Sequence, residues 1–248
     1  MAVMVLALSP WFAMAQTPEL KTDEAGLARL TSSGTKLAAG EKIAFFGDSI
    51  TMQGGYIQSI DKALKGRDHT KELGVQLLPH GLNGGRVPTV LEGKSPWGDL
   101  GAPMQQLLQN EKPTIVVIYL GINDVWHGDK GTTKDDFETG LKKMIALCRD
   151  IKAKIVLCTP SVIGEELKDN QLNQTLNAYA EVTRKLAAAE KLVSCDIHRA
   201  FLEKLKTVNA ANQHQGNLTY DGVHLNDAGN GLVADLVAGA IADVTAVK

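Results

Sequence analysis

Residues 42–51 read KIAFFGDSIT and combine an apolar run with residues that commonly start a helix. The run Lys42–Phe46 does not alternate with polar residues, which predicts a β-strand buried on both faces rather than a half-exposed one. It leads directly into Gly47-Asp48-Ser49-Ile50-Thr51, and Asp, Ser and Thr are frequent at the first positions of helices. A buried strand that turns at once into a helix is typical of parallel α/β folds.

Four more apolar runs follow along the chain, with helical segments between them. The further predicted strands are Val75–Leu78, Thr114–Leu120, Lys154–Cys158 and Leu192–Asp196. The predicted helices, which have apolar residues at helical spacing, are Tyr56–Lys65, Met104–Gln109, Asp135–Ile151, Leu172–Glu190 and Leu225–Val244. This alternation predicts βαβ units and a parallel sheet inside a three-layer α/β/α sandwich. The active site is expected beyond the carboxyl ends of the strands.

Composition places the chain among ordinary globular proteins. Apolar residues make up 44% of the 248 residues and charged residues 22%, with 26 Lys and Arg against 28 Asp and Glu. A net charge of −2 gives no indication of a nucleic-acid partner. The cysteines Cys148, Cys158 and Cys195 are odd in number, which argues against a disulfide framework, and their spacing does not resemble a zinc site. The sequence does not decide whether two of them form a single disulfide bridge.

The first fifteen residues form a separate apolar segment. They carry no charged side chain and end in Ala13-Met14-Ala15, which fits the small-x-small pattern before a signal-peptidase cut. We expect a signal peptide over 1–15, a lead-in over 16–40 and one domain over 41–248, in a secreted or periplasmic protein. An apolar arm packed on the domain is the alternative for residues 1–15. No segment is expected to span a membrane, which takes about 20 apolar residues.

Three short motifs with catalytic residue types follow the ends of predicted strands. Ser49 lies at a strand-to-helix turn, where its hydroxyl is exposed and its N–H belongs to a helix start that favours an oxyanion. The second strand leads into Gly81-Leu82-Asn83-Gly84-Gly85, whose backbone can approach a ligand closely. The third leads into Gly121-Ile122-Asn123-Asp124, whose Asn side chain can donate to a developing oxyanion. Helix capping, a tight turn and an Asx-turn are the structural alternatives.

A fourth motif, Tyr220-Asp221-Gly222-Val223-His224, places a carboxylate and a histidine on one loop. A carboxylate on Nδ1 would fix the His224 tautomer and leave the other ring nitrogen free to take a proton from a serine hydroxyl. The structural alternative is a capping Asp221 beside a surface histidine. The remaining histidines are expected to be structural or solvated, with His127 set apart because it follows the third motif: His69, His80, His127, His198 and His214.

In this order and context, the four motifs resemble the four blocks of the SGNH hydrolase family, also called GDSL-like esterases and lipases. The matching residues are Ser49, Gly84, Asn123 and His224, and the resemblance covers about residues 42–240. The second block is the looser match, because Pro79 stands where the family often has Asn. Gly85 is therefore the alternative to Gly84.

The resemblance implies a flavodoxin-like sandwich with a five-stranded parallel sheet in the order 2-1-3-4-5. It also implies a serine esterase that needs no metal and no organic cofactor. In that family's mechanism Ser49 is the nucleophile, and Asp221 and His224 complete a catalytic triad. The N–H groups of Ser49 and Gly84 and the side-chain amide of Asn123 form the oxyanion hole.

Two segments are expected to shape the substrate site: 86–103, with Trp97, and 125–133, with Trp126 and His127. A tryptophan beside polar groups suits a sugar face or an acyl group, although both tryptophans could instead be loop anchors. Export and the family resemblance favour removal of a small acyl group, such as acetyl, from a carbohydrate or similar ester. A lysophospholipase or thioesterase using the same site is the alternative, and a non-catalytic carbohydrate-binding module is a remote one.

Overall fold

A computed structural model describes residues 25–95 and 101–246 of the chain. Five parallel strands form one sheet in the order β2-β1-β3-β4-β5, which confirms the predicted strand order. The strands are β1 (Lys42–Gly47), β2 (Gln76–Gly81), β3 (Ile115–Tyr119), β4 (Lys154–Cys158) and β5 (Val193–Cys195). The apolar segment 1–15, residues 16–24 of the lead-in and Trp97 lie outside the described residues.

Helices cover both faces of the sheet, as the three-layer prediction requires. They are α1 (Ala25–Leu30), α2 (Ser49–Gln53), α3 (Gly55–Lys65), α4 (Asp68–Lys71), α5 (Val87–Glu92), α6 (Met104–Glu111), α7 (Ile122–Trp126), α8 (Lys134–Asp150), α9 (Gln171–Ala189), α10 (Ile197–Val208) and α11 (Asp227–Ala246). One layer contains α1, α3 and α11, which pack on one another, and α11 also packs on β4 and β5. The other contains α5, α6, α8 and α9, which pack on one another in turn.

The strands are buried according to their place in the sheet. Every residue of β3 is buried, and in β1 and β4 only the first residue is not, since Lys42 is half-buried and Lys154 is exposed. The two edge strands are partly exposed, β2 along its whole length and β5 at Val193 and Ser194, so the expectation of burial on both faces is wrong for these two strands. Strand β2 also continues past Leu78 through Pro79 to Gly81. A proline, which has no N–H to donate, is tolerated in a strand with only one neighbour.

The long helices lie where the apolar spacing predicts them, within one or two residues at most ends. The start of α11 differs: Leu225 pairs with Thr219 in an isolated antiparallel bridge, and the helix begins only at Asp227. Helix α10 is not among the predicted helices, although Asp196 caps it by accepting the N–H of Arg199. Its buried face comprises Ile197, His198, Phe201 and Leu205.

Three other expectations concern the whole molecule. In the described residues, no helix has the length and apolar character needed to cross a bilayer. Cys148, Cys158 and Cys195 are free, buried thiols in this structure. Part of the lead-in packs on the domain, since Asp235 Oδ1 on α11 accepts the N–H groups of Gly26 and Leu27 on α1 at 2.8 and 2.9 Å.

Candidate active site

Ser49 begins α2 directly after β1, at the carboxyl edge of the sheet. Asp48 caps this helix, because its Oδ1 accepts the N–H of Ile50 at 2.9 Å. The helix start lies against the end of β2 so closely that a Cβ on Gly81 would be 2.0 Å from the backbone nitrogen of Met52. Glycine at this position therefore allows the first turn of α2, which begins with Ser49, to lie directly on the end of β2.

The loop between α10 and α11 brings His224 to Ser49. Ser49 Oγ lies 2.9 Å from His224 Nε2, and His224 Nδ1 lies 2.7 Å from Asp221 Oδ2. The other carboxylate oxygen of Asp221 accepts the backbone N–H groups of His224 and Val223 at 2.7 and 3.0 Å. This arrangement places Nδ1–H on the carboxylate and leaves Nε2 as the acceptor for the serine hydroxyl.

The charge of Asp221 is favoured by its hydrogen bonds. Partial burial by itself would raise the pKa of this carboxyl, but the His224 imidazole and the N–H groups of His224 and Val223 outweigh that effect and lower it. Asp221 is therefore ionised at neutral pH, and its charge can stabilise an imidazolium on His224. The Asp221–His224 pair has the chemistry of a base that is oriented for proton transfer.

Asn123 and Gly84 line the same cavity as Ser49 and carry hydrogen-bond donors. The Asn123 side chain is 5% exposed and its Nδ2 donates to the Gly85 carbonyl at 3.2 Å, which leaves the second amide hydrogen for another acceptor. Gly84 has φ +63°, a left-handed conformation that glycine adopts without strain. The Gly85 N–H already donates to the Leu82 carbonyl at 2.8 Å. This engagement favours Gly84 over Gly85 as the backbone donor.

These groups open into one cavity of about 440 Å³. It is lined by Ser49, Asn83, Gly84, Asn123, Trp126, His127 and His224. Trp126 is 42% exposed and stacks on His127, with ring centroids 6.4 Å apart. A larger hollow of about 780 Å³ lies between α5, α6 and α8, but none of the candidate catalytic residues lines it. The smaller cavity is therefore the candidate site, because it contains the candidate catalytic side chains and the larger one does not.

Two buried carboxyls lie beneath this site. Burial raises the pKa of Asp48 to about 7, against the opposing effects of the Ile50 N–H and the His224 charge. Burial also raises the pKa of Asp124 to about 6, despite hydrogen bonds from Thr132 and the Val87 N–H. Asp124 Oδ1 accepts that N–H at 3.1 Å and so ties α5 to the helix that carries Asn123. Asp48 thus caps the helix that begins with Ser49, and Asp124 anchors the helix that carries Asn123.

Four of the other histidines have partners that explain them structurally. Their side chains meet a backbone carbonyl in His69 and His198 and a carboxylate in His80 and His214. Two residues at the site are not among the predicted site residues: Asn83, which lines the cavity, and Tyr220, whose ring stacks on His224. In the sequence, both stand next to a motif residue. Adjacency by itself does not show whether a side chain contacts the site. Within the described residues, no group of three or more His, Cys, Asp or Glu side chains could hold a metal ion.

Comparison with known proteins gives consistent results. The model of the GDSL-like Lipase/Acylhydrolase family matches residues 45–232. An acetylxylan esterase from Geobacillus stearothermophilus is 28% identical over 221 residues, which make up 80% of this chain and 93% of that protein.

Two solved structures are similar over nearly their whole length. The acetyl xylan esterase AlAXEase has a TM-score of 0.68 at 33% identity and covers 79% of this chain and 97% of its own. A structure of the Geobacillus stearothermophilus acetylxylan esterase has a TM-score of 0.70 at 26% identity and covers 83% of this chain and 96% of its own. That structure is described as a catalytic mutant in which a serine is replaced by alanine.

Proposed function

Because the chain belongs to the GDSL-like lipase/acylhydrolase family and is a carboxylic ester hydrolase, we propose that it removes small acyl groups, acetyl foremost, from carbohydrate esters with Ser49 as nucleophile. The observation that carries this proposal is the contact of Ser49 Oγ with His224 Nε2 at 2.9 Å, inside an open cavity. Nothing but a proton transfer is needed to activate the hydroxyl in this arrangement.

The reaction proceeds in two halves. Ser49 Oγ attacks the ester carbonyl carbon while His224 Nε2 takes the hydroxyl proton, and the resulting oxyanion is held by the N–H groups of Ser49 and Gly84 and the amide of Asn123. The intermediate collapses, the carbon–oxygen bond to the alcohol breaks, and His224 gives its proton to the leaving oxygen. Water then attacks the acyl-enzyme with His224 again as base, which releases the acid and restores Ser49. Asp221 keeps the imidazole oriented and stabilises its charge throughout.

Three observations support a small acyl group on a sugar. The cavity of about 440 Å³ is small, and apart from Trp126 its lining consists of polar side chains and a glycine. Trp126 offers an exposed aromatic face, which suits the apolar face of a sugar ring. Two relatives that are matched over more than nine-tenths of their own length are named acetylxylan esterases. We propose accordingly that an acetylated plant-type oligosaccharide is a closer match to the natural substrate than a long-chain lipid.

We also propose that the protein acts outside the cytoplasm. The apolar run over 1–15 and its Ala13-Met14-Ala15 ending support export with cleavage before Gln16. N-terminal sequencing of the protein recovered from the periplasm or medium tests this. A mature chain that begins at Gln16 is expected, and an intact chain confined to the cytoplasm would contradict it.

The decisive experiment combines a substrate series with a nucleophile variant. We expect hydrolysis of p-nitrophenyl acetate and of acetylated xylooligosaccharides, with activity falling as the acyl chain lengthens. Ser49→Ala should lower kcat by about 10⁶-fold, as loss of a serine nucleophile does elsewhere, and should abolish labelling by a fluorophosphonate probe. Preference for long acyl chains would replace the acetyl proposal with the lysophospholipase or thioesterase alternative. Failure of the wild-type protein to react with the probe would favour a non-catalytic carbohydrate-binding module.

A further inference from the structure

The loop that carries Asp221 and His224 has little secondary structure of its own. Between α10 and α11 it contains only the isolated bridge between Thr219 and Leu225. Even so, it holds the His224 ring within 2.9 Å of a serine on a different element. Something outside the loop must fix its position, because a free loop of this length would sample many conformations.

The buried carboxylate of Glu165, in the segment after β4, binds this loop through hydrogen bonds. The residue is fully buried, at 0% exposed. Its Oε1 accepts the N–H of Leu218 at 2.7 Å and both the N–H and the hydroxyl of Thr219 at 2.5 and 2.6 Å. Its Oε2 accepts the N–H and the side-chain amide of Asn217 at 2.9 and 2.7 Å. Five donors from three consecutive residues thus converge on one side chain.

The hydrogen bonds of this segment extend to Gly222, one of the two residues between Asp221 and His224. Thr219 Oγ1 donates to Glu165 and accepts the N–H of Gly222 at 3.2 Å. The carbonyl of Gly222 accepts the N–H of Gly164 at 2.7 Å. Gly222 is therefore held on both its polar groups by the segment that contains Glu165, one directly and one through the threonine hydroxyl.

Only a carboxylate suits this position. The two oxygens of a carboxylate accept all five hydrogen bonds and donate none. Glutamine has nearly the same shape, but its NH₂ group would face two donors from Asn217 or three from Leu218 and Thr219. Buried donors that lose their acceptor are costly, so the loop would shift to find other partners.

We propose that Glu165 is a positioning residue of the esterase, which holds residues 217–224 at the place where His224 Nε2 meets Ser49 Oγ. It touches neither the substrate nor the reacting atoms, and it acts through Thr219 and Gly222. This inference rests on the proposed function, because the proton transfer from Ser49 to His224 is what the positioning serves.

The first test compares Glu165→Gln with Glu190→Gln. Glu190 is a partly exposed carboxylate at the end of α9 whose Oε2 accepts Nη1 of Arg149 on α8 at 2.6 Å, so it is a matched control that does not contact the loop between α10 and α11. We expect E165Q to remain folded and to lower kcat on p-nitrophenyl acetate by about 10²-fold with little change in KM, as a misplacement of about 1 Å does. E190Q should retain the wild-type kcat. A folded E165Q enzyme with wild-type kcat would overturn the proposal.

A second pair of variants decides the case in which E165Q does not fold. Thr219→Val removes the hydroxyl that links Glu165 to Gly222 but leaves the backbone donors, whereas Thr219→Ser keeps that hydroxyl. We expect T219V to lower kcat at unchanged KM, whereas T219S should keep a kcat near that of wild type. Equal kcat in T219V and wild type would overturn the proposal that Glu165 acts through Thr219 and Gly222.

A spectroscopic readout separates this inference from the proposed function. The proton on His224 Nδ1, whose nitrogen lies 2.7 Å from Asp221 Oδ2, should give a downfield NMR resonance that is shifted or lost in E165Q and kept in E190Q. If wild-type protein shows no Ser49-dependent hydrolysis, the proposed function fails. The positioning role is then judged on this resonance alone, and an unchanged resonance in E165Q overturns it.

Discussion

Tyr220 and His224 lie face to face, with ring centroids 5.7 Å apart and ring planes that differ by 16°. The Tyr220 hydroxyl accepts a hydrogen bond from Gln53 Nε2 at 2.8 Å. Gln53 is the last residue of α2, which begins at Ser49. The stacked ring therefore connects the histidine loop to the helix of the nucleophile, and it covers one face of the imidazole that takes the proton.

Replacing Tyr220 by leucine should weaken proton transfer to His224. An aromatic face over a cation at an exposed site is worth about 0.5–1 kcal/mol, so Tyr220→Leu should lower kcat about two- to fivefold. Tyr220→Phe keeps the ring and loses only the bond to Gln53, so its kcat should stay near that of wild type. Steady-state kinetics on p-nitrophenyl acetate measure both. If Y220F loses as much as Y220L, the hydrogen bond to Gln53 matters rather than the stacking.

Asn123 should contribute to the transition state more than to stability. Removing one oxyanion donor typically costs about 10²–10³ in kcat, and we expect Asn123→Ala to lose activity on that scale with KM little changed. Asn123→Asp keeps the shape but places a carboxylate near the oxyanion, so it should be less active than N123A. Both should show a wild-type circular dichroism spectrum. Wild-type turnover in folded N123A would remove Asn123 from the mechanism.

Much of the fold was predictable because short stretches of sequence determine its central strands. The apolar runs in β1, β3 and β4 are buried on both faces, so their apolar composition is enough to predict them as strands. The edge strand β2 was predicted less well, since its extension through Pro79 depends on pairing with β1, a non-local contact. The capping of α10 by Asp196 was visible in the sequence, but it lies directly after a strand and was assigned to that strand instead.

The residues of the candidate site likewise divide into those with a local sequence signal and those that depend on non-local contacts. Ser49, Asn123, Asp221 and His224 could be named in advance because each belongs to a short motif whose residue types carry a known chemistry. Glu165 could not, because its partners lie more than fifty residues away and a single glutamate after a strand has no distinctive neighbour. The raised pKa of Asp48 was equally hidden, because it results from burial under side chains that the whole fold assembles.

The buried carboxyl of Asp48 should make stability depend on pH. Its pKa of about 7 in the folded chain lies above the ordinary value of 3.8, so folding takes up a proton between these pH values. The free energy of unfolding should therefore fall as pH rises from about 4 to about 7, by at most about 4 kcal/mol from this group.

Asp48→Asn removes this dependence. Its side-chain oxygen can still accept the Ile50 N–H, so the helix cap remains, but no charge has to be buried. D48N should be more stable than wild type above about pH 7, and the difference in Tm should shrink toward about pH 4. Asp169→Asn, at an exposed position with φ +58° that asparagine tolerates, controls for the change in net charge. A stability difference between D48N and wild type that does not vary with pH would contradict the assignment.

Trp126 should distinguish sugar esters from simple esters. Its exposed ring borders the cavity, where it can pack on a sugar that a p-nitrophenyl ester lacks. Aromatic packing of this kind is worth about 0.5–1.5 kcal/mol, so Trp126→Ala should raise KM for acetylated xylooligosaccharides about two- to tenfold. KM for p-nitrophenyl acetate should change little, and Trp126→Phe should be intermediate. Equal effects on both substrates would instead make Trp126 an anchor of the segment 125–133, because loss of an anchor disturbs the cavity for every ester alike.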